Sequence, residues 1–372
     1  MKHRILIIAI LGFTLIYPCA AQEKPVWKGK IEFKDGVEII KNPKEPQYEK
    51  KIVHFMEDFR LVTNDELDKG IAVISGIEVD KSGDMFVLDS KESCIHVLDI
   101  NGNPKKVIGA KGQGPGEFEN PRYIFISPNS ELFVWDTKRI SVFSAGGHYL
   151  RGYPSSILNA IERCVIDRDN NIFGVRCSLM KKPITRELAK FDSKFKLIKI
   201  FEIYEIPPIQ NKTFDPFKPM SMDLGLNKAG LVIVATQDRY EMRLYDSNGD
   251  LKKRILRDYD KRPVTKRDKE EILKGIPKDL PVRFKFSDSF PAWKNIFCGD
   301  RDHIFVETHE KSKDGRDYIY DIYDARGHYI ARTPITNGTV LLFKDDHVYL
   351  RDVNEAGYHI FKRMRMIWTL QD

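Results

Sequence analysis

Three aspartates recur at one position of a repeated strand pattern. Asp89, Asp136 and Asp352 each lie four residues after the first apolar residue of a short strand. Carboxylate oxygens are the ligands that hard cations such as Ca²⁺ prefer, so a ring of them could hold a metal ion. A carboxylate at a strand end also accepts hydrogen bonds from the backbone of the next turn. Because other repeats carry non-acidic residues there, such as Arg176, the pattern favours turn capping; we expect no cofactor, with Ca²⁺ as the alternative.

Motifs of known catalytic groups are missing from the sequence. The nine histidines form neither an HExxH motif nor a close His-x-His pair, and there is no Gly-x-Ser-x-Gly elbow. The glycine-rich segment 112–116 lacks the Gly-Lys-Ser/Thr ending of a P-loop, so its glycines are expected to form a tight loop instead. We therefore predict no catalytic residue and no metal site.

A turn that occurs five times must position these residues. Asp99, Ser144, Asp192, Asp246 and Asp324 each follow an apolar run and begin a polar turn that leads into another apolar stretch. Asp or Ser bonds the backbone two residues on, and a glycine, present in four copies, supplies the positive φ of a hairpin. The turns are 45, 48, 54 and 78 residues apart. These spacings fit four-stranded propeller blades of roughly 40 to 50 residues with insertions.

A pair of short strands precedes each turn, and a sixth pair lies at 339–350. The sixth repeat then lacks the turn and the fourth strand, because the chain ends at Asp372 soon after the third strand at 358–361. An unpaired edge promotes association, so sheet proteins avoid it. The N-terminal run 52–56, or the stretch through Val62, can supply the missing strand. The sequence therefore predicts an all-β, six-bladed β-propeller of four-stranded antiparallel blades, closed by an N-terminal strand.

The predicted organisation has three parts. Residues 1–21 read as a signal peptide, 22–75 as an N-terminal segment with the ring-closing strand, and 76–372 as the propeller. An insertion at about 258–292 interrupts the propeller, and only Lys266 to Lys274 reads as a short helix.

The first 21 residues combine a cationic start, an apolar stretch from Ile5 to Tyr17 and small residues around Cys19. This stretch is shorter than the roughly 20 residues that span a bilayer, as is typical of signal peptides. Cleavage before Gln22 predicts export to the periplasm or the extracellular space. A lipoprotein anchored through Cys19 is the alternative, which Pro18 disfavours. No other stretch is apolar enough to cross a membrane, so no transmembrane span is expected after cleavage.

The charge and the cysteine content indicate which partners and which disulfides to expect. The formal net charge is +7, and no basic block is interleaved with aromatic residues, so we expect no nucleic-acid partner. Four cysteines follow the signal peptide without a CxxC pair. Cys164 and Cys177 flank one predicted hairpin about two positions out of register. Isolated thiols are therefore expected, with a disulfide as the alternative.

Residues 76–150 contain a set of short motifs: Asp80-Lys-Ser-Gly-Asp84, Val87-Leu-Asp89, Ile95-His-Val-Leu-Asp99, the glycine-rich link from Ile108 to Phe118, and Asn120-Pro121. These motifs resemble an NHL repeat. Together with the signal peptide and Ile40-Lys-Asn-Pro43, the chain resembles the exported bacterial six-bladed β-propeller family of NHL-like proteins. This resemblance implies the fold and export. It implies no reaction, because such families are mostly without an assigned activity.

Long loops are expected on one face of the propeller. Connections between blades share that face with the turns between second and third strands; they include 112–116, 154–162, 205–220 and 258–293, whereas the opposite turns are short. Binding residues concentrate on long loops held by a rigid scaffold. The ligand-binding candidates at this loop-rich face are Asp89, Asp136, Arg139, Arg176, Arg283, Trp293 and Arg351.

The end of the insertion alternates aromatic and basic residues. Arg283, Phe284 and Phe286 are followed by Phe290 and Trp293. Aromatic platforms beside arginine suit sugar rings or protein partners. A lid that packs onto the blade edge would have the same composition, and in that case Trp293 is buried against the fifth blade.

Three functional hypotheses follow. The leading one is an exported, non-catalytic propeller that binds a ligand, with carbohydrate as one class, or a protein partner through the loop-rich face. The second is a metal-dependent hydrolase or lyase, by analogy with other six-bladed propellers. The third is a scaffold of the cell envelope.

Overall fold

The computed structural model describes most of the chain after the predicted signal peptide. The described residues are 25–63, 70–137, 139–154, 161–178, 183–206, 213–219, 221–274, 276, 283–299, 301–335 and 338–369. The predicted signal peptide, its cleavage before Gln22 and the alternative anchor at Cys19 lie outside these residues. The described part contains 28 strands and one helix, numbered below in chain order.

Three strands precede the first blade. They are β1 (Lys30–Lys34), β2 (Val37–Asn42) and β3 (Val53–Val62). β1 and β2 form a hairpin whose turn residues Asp35 and Gly36 have φ values of 52° and 79°. Two successive positive values are typical of the type I′ turns that suit two-residue hairpin loops.

Blades one to three follow as consecutive four-stranded repeats. Blade one consists of β4 (Ile74–Val79), β5 (Met85–Asp89), β6 (Cys94–Leu98) and β7 (Pro104–Ile108). Blade two consists of β8 (Tyr123–Ile126), β9 (Leu132–Trp135), β10 (Arg139–Phe143) and β11 (Tyr149–Pro154). Blade three consists of β12 (Ile161–Ile166), β13 (Ile172–Ser178), β14 (Thr185–Phe191) and β15 (Leu197–Glu205).

Long connections precede and follow blade four. After β16 (Thr213–Phe214), blade four consists of β17 (Met222–Leu226), β18 (Val232–Thr236), β19 (Glu241–Tyr245) and β20 (Leu251–Arg257). The connection to blade five contains α1 (Lys266–Lys274) and β21 (Arg283–Phe284). Blade five consists of β22 (Asn295–Cys298), β23 (Ile304–Lys311), β24 (Tyr318–Tyr323) and β25 (Tyr329–Ile335). Blade six contains β26 (Thr339–Lys344), β27 (His347–Val353) and β28 (His359–Trp368).

The five predicted turns form as hairpins between the third and fourth strands. In the first, Gly102 N donates to Asp99 O at 2.8 Å, and Asp99 Oδ1 accepts from the N–H of Asn101 at 2.9 Å. Gly102 has a φ of 82°, which a glycine adopts without a steric penalty. In the third turn Phe195 takes the glycine position with a φ of 60°.

The N-terminal belt, residues 30–62, runs along the outside of three blades. β2 pairs in parallel with β20, so the sheet of blade four has six strands. Gln47 and Tyr48 then donate backbone hydrogen bonds of 2.9 and 3.0 Å to Tyr329 and Ile330 of blade five. Finally β3 pairs antiparallel with β28 as the fourth strand of blade six. The paired strand extends through Val62, the longer of the two predicted alternatives.

Apolar side chains fill the spaces between neighbouring blades. The middle strands β5, β6, β18 and β19 are buried along their whole length, because adjacent blades cover both faces of each sheet. Burial of apolar area at about 25 cal/mol per Å² therefore couples each blade to the next. The first strands of all six blades line a central channel.

The predicted fold class is confirmed: the chain is an all-β, six-bladed propeller with four-stranded antiparallel blades. The predicted helix at Lys266–Lys274 also forms. Thr265 caps it, because its Oγ1 accepts from Asp268 N at 3.2 Å while Asp268 Oδ2 accepts from Thr265 N at 2.9 Å.

Candidate functional site

Three cavities of the propeller are candidate binding sites. The tyrosine pocket, about 370 Å³, lies at the loop-rich end of blade two. The central channel has a volume of about 570 Å³. The arginine cleft, about 610 Å³, lies between blades four and five beside the insertion. The predicted candidate residues are distributed over several places rather than gathered in one site.

Asp89 and Asp136 hold the connections that enter their own blades. Asp89 accepts hydrogen bonds from the N–H groups of Ala72 and Val73, and from those of Lys91 and Glu92 in the following turn. All of these bonds satisfy backbone donors, as the turn-capping interpretation predicts.

Asp136 makes the equivalent contacts one blade further on. It accepts from Glu119 N at 2.7 Å and Asn120 N at 2.8 Å, just before β8, and from Thr137 N in the turn. In blade four Gln237 has a similar role, since its Oε1 accepts from Ser221 N at 3.2 Å. Because position 237 is a glutamine rather than an aspartate, the sequence analysis did not predict that it has the same role as Asp89 and Asp136. Asp352 differs, because it bonds its neighbour Val353 N and Lys362 Nζ, each at 2.8 Å.

Arg139 fixes the glycine-rich loop over blade two. Its Nη2 donates to the carbonyl oxygens of Gly114 and Glu117. Glu117 Oε2 accepts from Gly114 N at 2.7 Å and would stand 2.1 Å from a Cβ placed on Gly112. A side chain at position 112 would therefore displace the Glu117 carboxylate from Gly114 N, and the loop is held by its own contacts, as the structural interpretation of the sequence predicts.

The tyrosine pocket lies between this loop and β11. Its walls include Tyr149, which is 37% exposed, and Tyr153, with Gly152 between them. A Cβ on Gly152 would lie 2.7 Å from the Tyr149 hydroxyl, so the missing side chain leaves room for that ring. Tyr153 Oη donates to Ser193 O at 2.9 Å, which fixes the second ring. Asp136, Arg139, Gln113, Glu119 and Pro154 complete the lining.

Arg176 and Arg351 are bound to other parts of the protein. Arg176 forms an ion pair of 2.6 Å with Glu187, whose side chain is fully buried, at the loop-rich end of blade three. Arg351 Nη1 donates to Ile74 O at 2.9 Å, which joins blade six to blade one. Neither arginine lines the tyrosine pocket.

Trp293 is buried, which corrects its place among the ligand-binding candidates and agrees with the alternative of a lid. The side chain is 1% exposed and packs in the core between blades four and five, together with Ile296 and Ile304. The cover interpretation of the insertion therefore applies to this residue. Arg283, by contrast, is exposed in the short strand β21.

Neighbouring aromatic residues of the insertion also pack together. Phe217 is buried and lies 4.7 Å from Phe290 between ring centroids. Phe290 also contacts the ring of His309 at 4.7 Å and the guanidinium of Arg262 at 4.1 Å. Burial lowers the pKa of His309 to about 4. This imidazole is therefore neutral at pH 7, and its Nε2 lies 3.2 Å from Trp293 O.

The central channel combines apolar walls with an ion pair in which the carboxylate is buried and the Arg163 side chain is 52% exposed. Asp223 Oδ1 accepts from Arg163 Nη1 at 2.6 Å, and Asp223 Oδ2 accepts from Ile296 N at 3.1 Å. Burial raises the pKa of the Asp223 carboxyl. Cys164 and Cys298 line the channel as free thiols whose pKa burial also raises.

The described ranges contain neither a disulfide nor a cluster of side chains suited to a metal ion. Cys164 lies opposite Gly174 in its hairpin rather than opposite Cys177, and neither of these two cysteines forms a disulfide. Among the described residues, no group of three or more His, Cys, Asp or Glu side chains could hold a metal ion. The helix that the structure describes is not one that could span a bilayer.

Solved structures with the same architecture share little sequence with this chain. A protein from Bacteroides fragilis NCTC 9343 described as exported has 14% identity and a TM-score of 0.55, with 88% of this chain and 99% of that chain covered. A DUF4221 family member from Bacteroides vulgatus ATCC 8482 has 12% identity and a TM-score of 0.49, covering 86% and 99%. Virginiamycin B lyase from Staphylococcus aureus has 10% identity and a TM-score of 0.41, covering 86% and 89%. At these identities the likeness to the first structure shows the fold alone.

No curated protein matches the chain. A family model described as a 6-bladed beta-propeller matches residues 30–220, from the N-terminal hairpin to the start of blade four. That range includes the glycine-rich loop, both capping aspartates and the tyrosine pocket. The chain belongs to this family, the 6-bladed beta-propellers of DUF5128.

Proposed function

We propose that this protein is an exported, non-catalytic binding protein that holds a carbohydrate in the tyrosine pocket. The observation that carries the proposal is the pair of tyrosines on either side of Gly152, one of them 37% exposed. Aromatic rings stack against the apolar faces of sugars, while polar groups around them bond the hydroxyls. The predicted signal peptide, and the likeness in fold to a protein described as exported, support the location.

The pocket has the polar groups that sugar hydroxyls need. Gln113 and Glu119 belong to its lining, where the Gln113 amide donates to the Glu119 carboxylate, and Tyr149 contributes its phenol. An amide, a carboxylate and a phenol together offer both donors and acceptors. A hydroxyl-rich ligand therefore matches this lining better than a purely apolar one.

Two of the sequence-predicted candidates have a positioning role in this proposal. The carboxylate of Asp136 and the Nη2 of Arg139 bond the backbone of the connection that forms the inner wall. They fix the shape of the pocket, and the tyrosines supply the contact area. Preformed walls reduce the entropy that binding must overcome.

A glycan array probed with the purified protein tests the proposal. We expect retention of neutral oligosaccharides, and a loss of about five- to 150-fold in affinity in the Tyr149→Ala variant, because stacking of a base on one aromatic ring contributes roughly 1–3 kcal/mol and a sugar face is expected to contribute on the same scale. Tyr358→Ala is the matched control, since Tyr358 is 38% exposed but lies in blade six. Equal binding by both variants would contradict the proposal. Turnover of an array glycan would instead support the hydrolase or lyase hypothesis.

A further inference from the structure

The arginine cleft contains an excess of basic side chains. It lies where β20 ends, beside the last residues of β23, with Lys44 of the N-terminal belt and Pro291 of the insertion in its lining. Six cationic and three anionic side chains line it. The cations are Lys44, Arg257, Lys261, Arg262, Lys311 and Arg332, and the carboxylates are Glu45, Asp260 and Glu310.

A buried carboxylate organises the floor of the cleft. Asp321 is fully buried and accepts hydrogen bonds from Tyr240 Oη at 2.5 Å and Tyr329 Oη at 2.8 Å. Its Oδ2 also accepts from Arg257 Nη1 at 2.6 Å, and its Oδ1 lies 3.2 Å from Arg332 Nε. Asp321 thus faces two guanidinium groups, and the second carboxylate against them is that of Glu310, on Arg332.

Arg257 is held rigidly at this floor. Its side chain is 7% exposed, and its guanidinium lies 4.4 Å from the ring centroid of Tyr329 and 5.0 Å from that of Tyr240. Its Nη2 donates to Lys44 O at 2.9 Å, which connects blade four to the belt. A guanidinium fixed in this way loses no rotamer freedom when an anion approaches.

Arg332 is the more accessible of the two arginines. Its side chain is 30% exposed, and its Nη2 lies 2.5 Å from Oε1 of Glu310, a side chain that is 50% exposed. The outer half of this ion pair, the Glu310 carboxylate, is exposed to solvent, whereas the Nη2 atom that it covers is buried. Glu310 therefore places a carboxylate against the guanidinium from the cleft side, where an external carboxylate could replace it.

We propose that the arginine cleft is a second binding site, which takes a small polar ligand through a carboxylate group that replaces Glu310 on Arg332. The exposed Lys261 and the rim residue Lys311 add long-range attraction for an anion. Tyr259, Pro291 and Ala292 supply an apolar wall for the body of the ligand. This site is independent of the tyrosine pocket, since the two share no lining residue.

The carboxylate could belong to a sugar acid or to an acidic amino acid, and calorimetric titration separates these sources. The probes are galacturonate, its neutral analogue galactose, and glutamate, each added to the full-length protein at low ionic strength. We expect the carboxylates to bind and galactose not to bind. Binding of galacturonate alone assigns a sugar acid, whereas equal binding of glutamate assigns the carboxylate as the only recognised group.

Variants at the rim test whether a carboxylate replaces Glu310, and they leave the buried floor unchanged. Glu310→Gln removes the competing carboxylate and should tighten carboxylate binding about three- to tenfold. Glu355→Gln, an exposed change of the same charge in blade six, should leave it unchanged. Lys261→Ala should weaken binding, and added salt should weaken it in every variant.

The opposite results would overturn the inference. No carboxylate binding by either the wild type or Glu310→Gln would exclude the site. Equal affinities of Glu310→Gln and Glu355→Gln would exclude the replacement of Glu310. Because Tyr149→Ala changes no residue of the cleft, it should bind carboxylates like the wild type, so failure of the tyrosine-pocket proposal would be distinguishable.

Discussion

The side-chain amide of Asn42 donates a 3.0 Å hydrogen bond to the carbonyl oxygen of Gly327, 285 residues away along the chain. The same side chain donates to Leu256 O at 3.1 Å and accepts from Tyr329 N at 2.7 Å. One buried amide of the N-terminal belt therefore joins blade four to blade five. The belt is an integral part of the ring and continues into the strand that pairs with β28.

Removal of residues 22–62 should destabilise the whole propeller. The deletion takes away β2 and β3, and so exposes the edges of β20 and β28. Open edges pair with other chains. We expect aggregation or expansion in size-exclusion chromatography, together with a lower melting temperature. A truncated protein that stays monomeric and melts cooperatively at the parent temperature would rule out a stabilising role of the belt.

Replacement of Asp136 by Ala should lower stability. It leaves the N–H groups of Glu119 and Asn120 without their acceptor, at on the order of 1–3 kcal/mol for a buried donor. Chemical denaturation measures the change in the free energy of unfolding. Asp169→Ala, an exposed change in the turn after β12, is the control and should stay within about 0.5 kcal/mol of the wild type. Unchanged stability of Asp136→Ala would contradict the capping role.

Truncation of Trp293 tests whether the insertion has a structural role or serves as a binding platform. Because the ring is 1% exposed in the core, Trp293→Ala should destabilise the protein by roughly 3–5 kcal/mol. Arg283→Ala removes an exposed side chain of the same insertion and should change stability by less than about 0.5 kcal/mol. Thermal melts of the two variants give the comparison. Equal melting temperatures would show that the tryptophan does not anchor the insertion.

These results show which features local sequence could predict. The hairpin turns depend on neighbouring residues, such as Asp99 and Gly102, so their chemistry was visible in the sequence. The helix at Lys266–Lys274 was visible for the same reason. The burial of Trp293 could not be decided, because an aromatic and basic stretch suits a lid as well as a ligand platform.

The binding sites depend on contacts between distant segments. The tyrosine pocket needs the glycine-rich loop to meet β11, and the arginine cleft needs Tyr240 to reach Asp321, 81 residues further on. The parallel pairing of β2 with β20 brings together residues such as Ile40 and Ile255. No local pattern marks such pairings, since every blade has the same apolar rhythm.

The stability of the protein should fall in mild acid because of His309. Burial lowers its pKa to about 4 from an ordinary value of 6.5. Above pH 6.5 the imidazole is neutral in both the folded and the unfolded state, so it does not lower the free energy of unfolding. As the pH falls toward 4, the unfolded state binds the proton first, and the free energy of unfolding decreases. The loss for this shift is on the order of 2–3 kcal/mol.

Comparison of two histidine variants distinguishes the contribution of His309 to this pH dependence from the contributions of other titrating groups. His309→Gln should remove that part of the decline in the free energy of unfolding between pH 7 and pH 4.5, whereas the exposed His54→Gln should retain it. Denaturant titrations at both pH values measure the difference. Identical pH dependence in all three proteins would mean that His309 is as easily protonated in the folded state as in the unfolded one.

The most direct test of carbohydrate binding is a calorimetric titration of wild type and Gly152→Ala with the oligosaccharide that the glycan array selects. The added Cβ would stand 2.7 Å from the Tyr149 hydroxyl and so must displace that flexible ring tip. We predict at least about tenfold weaker binding by Gly152→Ala with a melting temperature close to that of the wild type. Unchanged affinity in a variant that folds normally would contradict a carbohydrate site in the tyrosine pocket.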